Sequence, residues 1–344
     1  MSKPKSEKRL IAEDYCKKFP NLLDRTLARR IYEENKNVFH SIEDTRTYVR
    51  VVRGHIGSHK YQKGDKSLYK DKTYCYDGKK SHPEEVYAKI LILDIETAPL
   101  LANIWGIWNQ NISVDSIHSD WFMLTWSAKW LFDKKIYSAR VTPKEARSQD
   151  DKRIVKSLLN ILSEADIVVT HNGDRFDLPR INTRALIHQL PPPLPYISID
   201  TLKVAKRQFN FTSNKLDYIN KMLGLNVKKH TDIQLWRDCF LGKEAPLKRM
   251  EQYNINDVKI QEETYLRMRP WIKPHPNVSL HILDVNETRC PACGGKDLKV
   301  NGKRYHTQVN SYELLSCNNC GSHSRRRSGL DVKSKRTVIN SSSR

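Results

Sequence analysis

The segment Lys89-Ile90-Leu91-Ile92-Leu93-Asp94-Ile95-Glu96-Thr97 is apolar until two acids enter it two residues apart. Such a run predicts a buried strand over 88–97, and the strand period of two puts Asp94 and Glu96 on one face. Stretches near 103–112, 121–130 and 135–141, rich in Trp, Phe, Ile and Val, predict two or three more strands. Ile154, Leu158, Leu159, Ile161 and Leu162 recur at helical spacing and predict a helix over 151–164. A strand over 166–170 follows, and a short one at 196–199. Between them Pro191-Pro192-Pro193-Leu194-Pro195 is a rigid connector that belongs to neither element. The pattern is then mostly helical to residue 268, its longest member running from Leu247 to Arg267.

Nearer the N-terminus, Leu27, Ala28, Ile31 and Tyr32 share one face of a helix over 24–35. Ser41-Ile42-Glu43-Asp44 can cap a second helix to about Arg53, with Tyr48, Val49 and Val52 inward. The pair has a helix-turn-helix outline, which many helical hairpins share. Residues 57–82 are rich in Lys, Tyr and Gly without a period and read as a basic linker.

Charge sharpens this division. The chain carries 60 Lys and Arg against 39 Asp and Glu, a net charge of +21. Residues 1–89 hold 21 basic against 13 acidic side chains, residues 90–288 hold 27 against 23, and residues 289–344 hold 12 against 3. The excess lies in the flanks, as expected of basic arms that attract phosphate backbones around a core that needs local acidity.

Three short motifs in that core carry chemistry. Asp94 and Glu96 on one buried strand face are costly unless cations or donors compensate them, and Mg²⁺ seeks such oxygen ligands. The alternative is a strand end where both acids reach water or pair with Lys and Arg. Asn172-Gly173-Asp174-Arg175-Phe176-Asp177 breaks a strand and opens a helix, so Asp177 reads as a helix N-cap or as a metal-site carboxylate on a loop after a strand. Tyr253-Asn254-Ile255-Asn256-Asp257 puts Tyr253 and Asp257 one helical turn apart, an arrangement that also occurs on ordinary surface helices.

Taken together, the motifs resemble the DEDD exonuclease superfamily, in the branch with tyrosine in the third motif. They are most similar to the proofreading exonuclease domain of family B DNA polymerases. The resemblance rests on Asp94 and Glu96 in D-I-E-T, on Asn172, Phe176 and Asp177 in N-x-x-x-F-D, and on Tyr253 and Asp257 in Y-x-x-x-D. It extends to Ile199-Asp200-Thr201-Leu202 and to Phe211–Tyr218, covering residues 88 to 270. It implies an α/β, ribonuclease H-like fold: a mixed five-stranded sheet flanked by helices. It also implies two Mg²⁺ or Mn²⁺ ions, about 3.5–4 Å apart in such sites. Asp94 would bridge them, Glu96 and Asp257 would complete one, and Asp177 would hold the other, directly or through water. A phenol ionises near pH 10, so Tyr253 would orient the attacking water rather than act as a base. Asn172 and Phe176 would hold the 3'-terminal nucleotide, and Thr97 would support its sugar. The products would be nucleoside 5'-monophosphates.

Four of the seven cysteines form two pairs, Cys290-Pro291-Ala292-Cys293 and Cys317-Asn318-Asn319-Cys320, with 23 residues between them and a glycine after each. This is the pattern of a Cys₄ zinc ribbon holding one structural Zn²⁺, with disulfides or redox dithiols as the alternatives. Asn301-Gly302, between strand-like residues, is expected to be its hairpin turn. Cys16, Cys75 and Cys239 read as free thiols, and His306 and His323 as surface residues. Tyr305, Tyr312 and the run Arg325-Arg326-Arg327 can combine stacking with phosphate contacts.

The expected organisation is a basic helical module and linker (1–80), a 3'→5' exonuclease domain (81–275), a zinc ribbon (285–328) and a disordered basic tail (329–344). Too little chain remains for polymerase palm and fingers, so a stand-alone enzyme is expected, of a kind suited to a phage or mobile element. Its partner would be DNA, as single strands or frayed 3' ends. An exoribonuclease, a structure-specific endonuclease and a non-catalytic DNA-binding regulator are the alternatives. No apolar leader follows Met1, and no run of 18 apolar residues occurs, so a soluble protein of a reducing cytoplasm is expected.

Overall fold

The computed structural model describes residues 6–54, 88–227, 231–282, 287–307 and 310–326. The chain divides into two compact units, Lys89–Lys273 and a second made of the residues on either side. The basic linker, the C-terminal tail, Cys75 and Arg327 lie outside the described residues.

The flanking unit opens with α1 (Glu7–Lys18), α2 (Asp24–Glu34) and α3 (Ile42–Val52). Leu22, Leu27, Ala28, Ile31, Phe39 and Val49 form their core. Ser41 caps α3 as its sequence predicts, its Oγ accepting from the Asp44 N–H at 3.0 Å. The first helix escapes a reading by pattern because it buries only Ala12 completely and has no continuous apolar stripe. Arg53 ties the three together, donating to Asp24 and to the Phe19 carbonyl, each at 2.8 Å.

The central unit contains β1 (Ile90–Thr97), β2 (Leu101–Ala102), β3 (Ile117–Ser119), β4 (Met123–Trp130) and β5 (Ile136–Arg140). Helices α4 (Pro143–Ser148) and α5 (Lys152–Glu164) follow, then β6 (Ile167–Thr170), α6 (Asp177–Ile187) and β7 (Ile197–Asp200). The unit ends with α7 (Thr201–Gln208), α8 (Leu216–Met222), α9 (Ile233–Phe240) and α10 (Glu244–Met268). One five-stranded sheet runs in the order β5-β4-β1-β6-β7. Pairing of β1 with β4 is antiparallel and with β6 parallel, so the sheet is mixed.

Register explains why the two faces differ. Leu93 and Ile95 stand opposite Ala128 and Trp126, and this apolar face packs on Ile154, Val155 and Leu158 of α5. Asp94 and Glu96 stand opposite Ser127 and Thr125. On that second face Lys129 pairs with Glu262 at 2.6 Å, and Ser138 donates to Glu251 at 2.7 Å. Both glutamates belong to α10, so α10 covers the polar face and carries the third motif to the acids of the first.

The segment 103–112 is not a strand. It lies in the long connection between β2 and β3, and Asn109 adopts φ 50° there, which interrupts extended backbone. Two of the three predicted stretches, as β4 and β5, make the sheet.

In the flanking unit, β8 (Leu298–His306), β9 (Ser311–Cys317) and β10 (His323–Arg325) form a three-stranded sheet. Asn301-Gly302 is not its turn. Both residues lie within β8 at a bulge between Val300 and Arg304, where Gly302 takes φ 79°. The strands are instead joined between Thr307 and Asn310, whose backbone N–H and C=O meet at 2.8 Å.

Candidate active site and cysteine cluster

Asp94 and Glu96 lie near the end of β1, and Asp257 is fully buried on α10. One carboxylate oxygen from each falls in a group whose members lie within 4.8 Å of one another. The sequence pattern alone brings the first two together; the third arrives through packing of α10 on the sheet. Three anions this close in a largely buried place repel strongly, and hard oxygen donors of this kind fit a divalent cation such as Mg²⁺ or Mn²⁺.

Asp177 is not in that group. It is the first residue of α6 and does not cap the helix; Phe176 holds the cap position. The buried Asp177 carboxylate instead accepts from the backbone N–H of Ile95 at 3.1 Å, between Asp94 and Glu96. The N-cap expectation is therefore corrected: the carboxyl faces β1.

The loop before α6 is shaped for this. Asn172 adopts φ 73°, a left-handed conformation that Asn tolerates better than most residues. Its N–H donates to Asp200 Oδ1 at 2.8 Å, and its carbonyl accepts from the Phe176 N–H at 2.9 Å. Gly173 follows because a Cβ there would lie 2.1 Å from Thr170 Oγ1. Asp200 also caps α7, accepting from Leu202 at 2.9 Å, which gives Ile199-Asp200-Thr201-Leu202 a structural role beside the second motif.

Tyr253 sits on α10 one turn before Asp257 and packs edge-on against Trp236 at 6.2 Å between centroids. Asn254 has a role the sequence did not reveal. It is fully buried, and its Nδ2 donates to Asp94 Oδ2 at 2.6 Å. Its position beside Tyr253 on the buried stripe of α10 is the one signal that pointed to it.

A cavity of about 570 Å³ is lined by Thr97, the residue after Glu96, by Trp236, which packs on Tyr253, and by Leu100, Trp121, Arg180 and Asp232 among others. Arg180 dominates one wall. Its guanidinium stacks on Phe176 at 4.3 Å and on Trp121 at 4.5 Å, while Nη1 donates to Thr97 Oγ1 at 2.9 Å. Burial pulls its pKa below the ordinary arginine value, opposed by the charges of Asp177 and Asp120. Thr97 and Phe176 thus meet through an arginine that lies outside the three motifs but one helical turn beyond Phe176. Cys239, fully buried, has its thiol pushed up to about 12, first by burial and then by the charges of Asp238 and Glu96.

In the flanking unit, Cys290, Cys293, Cys317 and Cys320 are all buried, with sulfurs within 4.8 Å of one another. The two loops are built alike. Gly294 N–H donates to Cys290 O, and Gly321 N–H to Cys317 O, each at 2.8 Å, with φ 75° and 74° at the glycines. Four sulfurs on two such loops fit a tetrahedral Zn²⁺. His306 and His323 are outside the group, and His323 Nδ1 lies 3.0 Å from Ser316 Oγ. Tyr305 faces Tyr312 across β8 and β9, and the Arg325 guanidinium stacks on Tyr312 at 4.2 Å.

No curated protein matches the sequence. Residues 129–268 match the RNase_H superfamily (RNase_H_2), a span from the end of β4 through α10 that includes Asp177, Tyr253 and Asp257. Among solved structures, the family B DNA polymerase of the archaeon Pyrobaculum calidifontis is similar at 14% identity and a TM-score of 0.40. That similarity covers 53% of this chain and 25% of the polymerase. No helix among the described residues is long and apolar enough to cross a membrane. The superfamily match and the mixed sheet order agree, and residues 89–273 form a ribonuclease H-like fold.

Proposed function

We propose that the chain is a divalent-metal-dependent 3'→5' exonuclease of the tyrosine-containing DEDD type, releasing nucleoside 5'-monophosphates from single-stranded or frayed DNA ends. The observation that carries this reading is the convergence of Asp94, Glu96 and Asp257 within 4.8 Å, with Tyr253 one turn away on the same helix. Asp94, Glu96 and Asp257 would hold one ion and Asp94 and Asp177 the other. Bound there, two Mg²⁺ or Mn²⁺ ions would supply Lewis-acid stabilisation to the attacking and leaving oxygens.

The protein side supplies positioning. Asn254 fixes one oxygen of Asp94 and so orients this carboxylate. Asp177 secures the strand between the two acids of the first motif. Tyr253, held by Trp236, would orient the attacking water by its hydroxyl. Arg180 joins Thr97, in the cavity wall, to Phe176, and the terminal nucleotide would lie against these groups and Asn172. The four cysteines would hold one structural Zn²⁺. The exposed strand β8, with Lys299, Lys303 and Tyr305, would carry phosphate and base contacts for the nucleic acid.

The test is a time course on 5'-labelled single-stranded DNA and matching RNA, with Mg²⁺ or EDTA, alongside Asp94→Ala. A metal-dependent ladder shortening DNA from its 3' end, absent in the variant, is expected. Trimming confined to RNA would replace DNA as substrate. Absence of cleavage with either would defeat the enzymatic reading.

A further inference from the structure

The connection between β2 and β3 projects a set of apolar side chains that the fold leaves uncovered. Trp105 is 99% exposed, Trp108 81%, Ile107 79% and Val114 81%. Apolar side chains gathered in this way mark an interaction surface. The loop is nevertheless ordered. Gln110 donates to the Trp108 carbonyl at 2.8 Å, and a Cβ on Gly106 would lie 3.0 Å from that same Gln110 amide. At the base, the Asn103 N–H meets the Ser116 carbonyl at 2.9 Å. A closed turn therefore holds both indoles outward.

Its root is the cavity. Leu100, immediately before β2, and Trp121, two residues after β3, both line it. Trp105 lies five residues from Leu100, so it is within about 18 Å along the chain. From residue 98 to residue 121 there is no Lys or Arg. Its acidic residues are Asp115 and Asp120, so attraction to phosphates is not what this segment offers. Aromatic faces can grip a polyanion there without any charge, because every base has a π-face. A single strand is the form whose bases are free to stack; a duplex has already stacked them.

Resting on the exonuclease reading above, we propose that the hairpin 103–116 is a base-stacking platform for single-stranded DNA next to its 3' terminus, with Trp105 and Trp108 as the stacking residues. It is distinct from the three catalytic motifs, and it would set affinity for strands long enough to reach it.

The experiment measures binding of a fluorescein-labelled dT₁₂ in EDTA, where no turnover occurs, to wild type, to Trp105→Ala/Trp108→Ala and to Trp105→Phe/Trp108→Phe. The alanine pair is expected to weaken binding about 10- to 100-fold, as loss of base–aromatic stacking does. The slope of log affinity against log salt should stay the same, because no phosphate contact is removed. The phenylalanine pair should recover most of the affinity. Unchanged binding by the alanine pair would overturn the proposal. So would a wild-type dimer in sedimentation that becomes monomeric in the alanine pair with dT₁₂ affinity unchanged, since the hairpin would then join copies of the chain. A parallel digestion by wild type in Mg²⁺ reads the exonuclease reading separately, because binding in EDTA is scored whether or not cleavage is seen.

Discussion

Asp177 Oδ1 accepts the backbone N–H of Ile95 at 3.1 Å across 82 residues of sequence. One carboxylate of the second motif thus clasps the strand residue that separates the two acids of the first.

This contact separates two roles for Asp177. Asp177→Asn keeps an acceptor for Ile95 and removes the charge, so folding should be nearly unchanged while turnover falls. Loss of a group that holds or orients a metal ligand costs about 10- to 100-fold. Asp177→Ala should lose the same activity and also about 1–3 kcal/mol of stability, because it leaves a buried N–H unpaired. Paired kinetic and urea-melt measurements check this; full turnover by the asparagine variant would reduce Asp177 to a structural clasp.

Asn254 offers a pH-resolved test. Asn254→Ala should lower turnover about 10- to 100-fold by removing the donor that orients the Asp94 carboxylate. Asn254→Asp would set a second carboxyl against Asp94, where Nδ2 now lies 2.6 Å away. Two carboxyls so close share a proton, and the pKa of one rises. Below that raised pKa the pair is protonated and ligates poorly; above it the ligand is restored. The aspartate variant should therefore be impaired most at low pH and recover as pH rises, and a pH–rate profile parallel to wild type would rule this out.

Away from the site, Glu145 gives a stability prediction. It completes a capping box with Thr142 and pairs with Arg153 at 2.7 Å. The Arg153 hydrogen bond is the largest cause that holds its pKa down to about 2, against an ordinary value of 4.5. A depressed carboxylate contributes stability above its unfolded pKa, and the contribution is lost as pH falls through the folded one. Glu145→Gln retains the capping box, since glutamine serves there. The variant should be less stable than wild type at pH 7, by no more than about 1 kcal/mol for a solvent-accessible pair. The gap should close between pH 4.5 and 2; a gap that persists at pH 2 would assign it to something other than charge.

The cysteine cluster predicts one equivalent of zinc per chain by elemental analysis. Cys317→Ser should abolish it, and chelation should unfold the ribbon sheet, because so small a module has little apolar core beyond the sulfurs. The thermal transition of residues 89–273 should persist, since that unit has its own core. Zinc retained by the variant would count against the Cys₄ site.

Local features were open to reading from the chain. A D-x-E on an apolar strand, a Y-x-x-x-D on a helix and the two glycine-closed cysteine turns are set by spacings of two, four and three residues. The same reasoning failed where the next neighbour was remote. Segment 103–112 has the composition of a strand, but Asn109 takes φ 50° within it and the backbone leaves the extended region. Asn301-Gly302 has the composition of a hairpin turn but was absorbed into a bulge, because the strand continues past it. Helix α1 was missed because packing on α2 and α3, rather than an apolar stripe of its own, holds it.

What the sequence determined by itself, then, was the set of groups and the elements that carry them, since backbone period fixes which side chains share a face. Which of those groups meet was decided by the tertiary structure alone. Asn254 reaches Asp94 across 160 residues, Arg180 reaches Thr97 across 83 and Asp177 reaches Ile95 across 82. These meetings depend on the order of strands in the sheet and on the face that α10 covers, and both are set by burial of the whole core rather than by any local spacing.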